Sequence, residues 1–168
     1  MSATDETTVD TASLRALQDR TEIADVLYRY SSAVDSFDTA GVRSALADDI
    51  WAQYGNAEPV EGGDKLAGWI AEATATVIWQ HHLLNVYHIT IDGDQAKALT
   101  YLTSYQVFEE KPDAAVILVA RYHDELRRTP DGWKISKRIM ELLWGESKAD
   151  DGFLASLGGR GPKIWQRS

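Results

Sequence analysis

Apolar residues in the first part of the chain recur at three- and four-residue steps. Between about residues 11 and 37, Ile23, Leu27, Tyr30 and Val34 fall on one stripe, which predicts a long amphipathic helix. Ser31 and Asp35 lie four apart on the flank of that stripe. A shorter helix is predicted over 39–47 with Asp38 as its N-cap, followed by a short strand over 50–55. Gly62-Gly63-Asp64 then breaks the chain, and Asp64 is placed to cap a third helix reaching about Thr74.

Beyond that point the period drops to two. A strand centred on 81–91 runs through Asp92-Gly93-Asp94, a strong hairpin signal, into a second strand over 95–108. Lys111-Pro112-Asp113 and Thr129-Pro130-Asp131-Gly132 punctuate two more strands, 114–128 and 133–144. Long strands joined by short turns predict an antiparallel meander. Helices first and a long sheet afterwards make the chain α+β, with a strongly curved sheet wrapped around the helices as a cone. The open end of such a cone holds a pocket. Residues 1–10 read as a disordered, polar lead-in, 11–146 as the folded domain, and 147–168 as a tail. The tail carries Phe153, Leu154, Leu157, Ile164 and Trp165, which suit a lid or a subunit contact.

Alternation also assigns faces within the 81–91 strand. His81, Leu83, Asn85 and Tyr87 should share one face, and His82, Leu84, Val86 and His88 the other. The expectation is that His81 faces the pocket and accepts a proton there. Asp35 is its natural partner. It sits near a helix C-terminus, where the backbone dipole disfavours an anion unless something compensates.

Composition narrows the function further. A net charge of −9 argues against nucleic acid or an anionic membrane as partner. The absence of cysteine excludes thiol chemistry, disulfides and cysteine-bound zinc. No apolar run approaches the roughly 20 residues needed to span a bilayer. The first ten residues lack the basic and apolar regions of a signal peptide, so the expected location is cytoplasmic. His82 and His88, six residues apart, would be about 20 Å apart along a strand. No compact metal site is expected.

Several motifs together resemble the nuclear transport factor 2-like superfamily, in particular its SnoaL-like branch, which includes scytalone dehydratase and hexachlorocyclohexane dehydrochlorinase. They are Tyr30-Ser31-Ser32-Ala33-Val34-Asp35-Ser36-Phe37-Asp38, His81-x-x-x-Asn85, Arg121-Tyr122-x-Asp124-Glu125-x-Arg127-Arg128 and Gly132-Trp133-Lys134-Ile135. The resemblance spans roughly residues 14–146 and implies a cone-shaped α+β barrel. It also implies cofactor-independent chemistry, with Asp35 supporting a catalytic His81. Asp38 and Tyr54 fall where the dehydratase has an active-site aspartate and a water-binding tyrosine. Lys137 falls near the arginine with which the dehydrochlorinase stabilises its leaving group. The dehydrochlorinase has a lysine five residues before its aspartate, where this chain has Tyr30.

The resulting expectation is a lyase of dehydratase or dehydrohalogenase type acting on a small, largely apolar or cyclic substrate. His81 and Asp35 would carry catalysis, and Tyr30, Tyr54, Asp38, Asn85 and Lys137 would bind substrate. An isomerase or polyketide cyclase would use the same pocket, and a non-catalytic binding or assembly module is a further alternative. The outer sheet face carries alternate apolar residues that one helical layer cannot cover. Self-association as a trimer or dimer is therefore expected.

Overall fold

A computed structural model describes residues 10–147. Three helices precede or interrupt a six-stranded sheet: α1 (Thr11–Asp35), α2 (Thr39–Ala45), β1 (Leu46–Tyr54), β2 (Val60–Glu61), α3 (Gly63–Ala73), β3 (Val77–Asp92), β4 (Gln95–Phe108), β5 (Ala115–Thr129) and β6 (Gly132–Ser147). The strand order is β2-β1-β6-β5-β4-β3. The β3–β6 meander is antiparallel throughout. β1 joins it parallel to β6, a pairing that local patterns could not reveal. The sheet stays open, with β2 and β3 as its edges. α1 packs on both β3 and β6, so the sheet bends around the helix.

The α1 stripe enters the core as its spacing predicts, with Ile23, Leu27, Tyr30 and Val34 all buried. Asp10 starts this helix by accepting from the Ala12 N–H. Asp38 caps α2, its Oδ1 accepting from the Gly41 N–H at 2.9 Å. Asp64 does not cap α3. The N-cap is Gly62, whose φ of 97° belongs to the left-handed region that glycine adopts without strain. Asp64 lies in the first turn and accepts from Arg43 Nε at 2.6 Å, while the same guanidinium pairs with Asp48. No helix among the described residues is long and apolar enough to cross a membrane. The tail beyond Ser147, with its expected role as lid or contact, lies outside the described residues.

Two irregularities in the sheet position the site. The β3–β4 ladder shifts register between Val86 and His88, and the β5–β6 ladder shifts between Glu125 and Leu126. Each is a β-bulge, which inserts one residue and reverses the faces of everything beyond it.

Candidate active site

A pocket opens between the sheet and the C-terminal ends of α1 and α3. It encloses about 580 Å³ of space, its open mouth included. Its wall is largely apolar, with Val34, Trp69, Ile70, Leu102, Leu118 and Met140, and its polar groups come from few places. Tyr30 and Tyr54 contribute hydroxyls, Tyr122 a third ring, His82 an imidazole, and Ser104 and Gln106 the polar end of β4.

His82, not His81, is the histidine of this pocket. Its side chain is 9% exposed and lines the cavity, whereas that of His81 is 50% exposed on the other side of the strand. His82 Nδ1 lies 2.5 Å from Asp35 Oδ1, and its backbone N–H donates to Asp35 Oδ2 at 2.9 Å. His81 Nδ1 stays 3.9 Å from that carboxylate. The physical reason is the bulge. Counting back from the Asp92-Gly93 turn, Ile91 and Ile89 point inward, and unbroken alternation would carry His81 inward with them. The inserted residue reverses the parity, so Val86, Leu84, His82 and Gln80 take the inner face.

The same reversal moves Asn85 outward, where it is exposed and pairs across the ladder with Tyr101. It also separates His88 from His82. On β6, Trp133 and Ile135 point inward, so unbroken alternation would bring Lys137 in next. The bulge substitutes Arg138. Lys137 instead lies outside, 3.8 Å from Glu125 and over the Trp51 ring. Asp38, committed to its cap, borders a neighbouring groove and not the pocket that contains His82.

Asp35, the last residue of α1, answers the unfavourable helix dipole with two donors from β3. Gln80, two residues earlier on the same inner face, donates to the Val34 carbonyl at 2.5 Å. β3 thus fastens both the end of α1 and the imidazole beside it. Across the pocket the Tyr30 and Tyr54 hydroxyls share a hydrogen bond of 2.6 Å. Burial, with Tyr30 beside it, pushes Tyr54 well above the ordinary tyrosine range, so its hydroxyl stays protonated. Tyr122 is pushed up as well, again chiefly by burial.

Behind the tyrosines lies Arg138, 1% exposed. Its guanidinium stacks 4.2 Å from the Tyr30 ring centre and 3.9 Å from that of Tyr122. Asp124 accepts from its Nε at 2.7 Å and its Nη2 at 2.8 Å. Burial opposes the charge, but Asp124 and the tyrosines outweigh it and keep the group protonated. Nη1 has no hydrogen-bond partner, leaving one nitrogen of a buried cation unspent behind the tyrosines. Among the described residues, no three histidine, cysteine or carboxylate side chains converge as metal ligands.

The site combines a supported imidazole, a hydrogen-bonded tyrosine pair and a buried cation around an apolar cavity. Such a set can move a proton and hold a developing oxyanion. An uncharacterized protein of Mycobacterium tuberculosis, Rv2910c, is 27% identical over 128 residues, covering 76% of this chain and 87% of that one. A Novosphingobium aromaticivorans protein provisionally assigned as an aromatic ring hydroxylase shares the fold with a TM-score of 0.73. It is 25% identical, covering 84% of this chain and 97% of that one. Another from the same organism, provisionally assigned as a scytalone dehydratase, gives 0.72 at 15% identity, covering 78% and 88% of the two chains. Hexachlorocyclohexane dehydrochlorinase LinA-type3 from Novosphingobium barchaimii gives 0.72 at 17% identity, covering 83% and 96%. The SnoaL-like domain family matches residues 15–139, and the chain belongs to that family.

Proposed function

We propose that this chain is a cofactor-independent lyase or isomerase in which His82 removes a proton from carbon beside a carbonyl of a small, largely apolar substrate. The observation that carries this reading is the 2.5 Å contact between Asp35 Oδ1 and His82 Nδ1 at the pocket wall. A carboxylate there keeps the proton on Nδ1 and leaves the Nε2 lone pair free to act as base. It also stabilises the imidazolium that forms. Negative charge developing on the substrate oxygen meets the Tyr30–Tyr54 hydroxyl pair, with Arg138 behind it in a site of low dielectric. The dehydratase and dehydrochlorinase assignments of proteins with the same fold agree with this chemistry.

A screen of cyclic hydroxy ketones and halogenated rings in D₂O, read by mass, detects both elimination and deuterium uptake by an isomerase. With an active compound, His82→Ala should lower the rate about 10²- to 10⁴-fold. His81→Ala should leave it within a few-fold. In ¹⁵N NMR, native His82 should be the Nδ1–H tautomer, and Asp35→Asn should disturb that preference. A His81 variant as damaged as the His82 variant would refute the assignment.

A further inference from the structure

The pocket wall opposite α1 carries two polar side chains that the proton transfer does not use. Ser104 is fully buried and its Oγ has no hydrogen-bond partner. Gln106 is 6% exposed, and its Oε1 is likewise unpartnered. Both line the cavity. Ser104 stands directly across the ladder from His82, and Gln106 directly across from Gln80. Cross-strand partners on one face have Cβ atoms about 5 Å apart, so a ligand atom can touch His82 and Ser104 together. A buried polar atom without a partner costs about 1–3 kcal/mol. Two such atoms on side chains that line one cavity, next to its base, are most simply explained as half of a hydrogen-bonding set that the ligand completes.

We infer that Ser104 and Gln106 form a subsite for a hydroxyl group on the ligand, and that the substrate is therefore hydroxylated and not halogenated. This rests on the reading of His82 as base and narrows its substrate class. A hydroxyl donates its one proton to the Gln106 carbonyl and accepts from the Ser104 O–H, whereas a carbon-bound halogen donates nothing. In the elimination that follows, His82 takes the proton from carbon. The C–H electron pair forms the new C=C bond, and the neighbouring C–O bond breaks. The departing oxygen receives the proton back from His82 and leaves as water. Its position beside Ser104 keeps it within reach of the imidazole for that return.

Phenol and chlorobenzene make a non-reacting probe pair of similar size, titrated against the full chain by NMR. The quantity read is the ratio of their dissociation constants in the native protein, divided by the same ratio in each variant. This quotient cancels the difference in transfer from water. Gln106→Leu should reduce the preference for phenol at least tenfold, and Ser104→Ala should reduce it several-fold. Both variants lose an unpartnered buried atom, so their denaturation midpoints without ligand should not fall. Because binding alone is read, the result does not require His82 to act as a base, and a failed base assignment would leave it standing. A phenol preference unchanged in both Gln106→Leu and Ser104→Ala would overturn the subsite. So would a marked loss of stability on removing either polar group, which would show that it already has a structural partner.

Discussion

Arg138 is the residue on which the interior depends most. A guanidinium out of contact with water is tolerable only because Asp124, itself enclosed, binds it through two parallel hydrogen bonds and two tyrosine rings cover its faces. Removing one member strands the other. Arg138→Met should destabilise the fold by about 3–5 kcal/mol, because Asp124 is left enclosed with no counterion. Adding Asp124→Leu should recover much of that loss, since a paired apolar replacement carries no desolvation cost. Urea denaturation of the single and double variants measures this directly. A single variant within about 1 kcal/mol of native would mean that the pair contributes little. The double variant also tests function. A stable double variant that is still slow would show that the cation acts on the tyrosine pair, apart from any role in folding.

At the scale of elements, the sequence brought Tyr30, Tyr54 and Asp35 to the site, chose the neighbour of the inward residue on β3 and β6, and placed Asn85 and Asp38 at a pocket that neither lines. The helix stripe put Tyr30 and Val34 at one end of α1 with Asp35 on its flank, and Val34 and Asp35 do meet β3 there. The turns set the meander. What alternation could not show was a bulge in β3 and another in β6, because a bulge carries no marker in these stretches. No glycine or proline sits between Val86 and His88 or between Ile135 and Arg138. The two candidate faces of β3 are also similar in polarity: Trp79, His81, Leu83, Asn85 and Tyr87 against Gln80, His82, Leu84 and Val86. His82 and Arg138 each adjoin the residue that unbroken alternation selects. Ser104 and Gln106 were missed for another reason, since an unpartnered atom exists only in three dimensions.

The opposite end of α1 is fixed by charge. Asp19, mostly buried, accepts from Arg128 at 2.7 Å and from Trp133 Nε1 at 3.4 Å, tying the helix to the β5–β6 turn. The Arg128 hydrogen bond outweighs burial and lowers the Asp19 carboxyl below its ordinary value. A lowered folded pKa stabilises the protein above the unfolded carboxylate range and is lost as pH falls through the folded value. Asp19→Asn should therefore lower the urea midpoint at pH 7, and the gap from native should narrow at pH 3. A gap of equal size at both values would show that the carboxylate charge is not what anchors α1.

The whole molecule presents one surface that its single layer of helices leaves bare. On the outer face of the sheet, Trp79 is 52% exposed, Leu83 53%, Tyr87 57% and Ile139 36%. Tyr87 packs against Tyr101 with ring centres 4.6 Å apart and planes tilted by 44°, extending an aromatic strip onto β4. Near its middle Glu141 accepts from Arg121 at 2.8 Å and faces His123 Nε2 at 3.0 Å. Those two partners outweigh burial and hold its carboxyl below the usual range. The charges on this face are thus largely paired among themselves, and the apolar side chains around them gain by leaving water. A second copy of the same face supplies a matching strip without further segments. The expectation is a dimer or trimer at micromolar concentration in sedimentation velocity. Leu83→Glu combined with Tyr87→Glu should shift it to monomer with the circular dichroism unchanged, since both side chains project outward from an intact ladder. A native protein that sediments as a monomer would refute the expectation. An oligomer that survives both glutamates would place the contact on another surface.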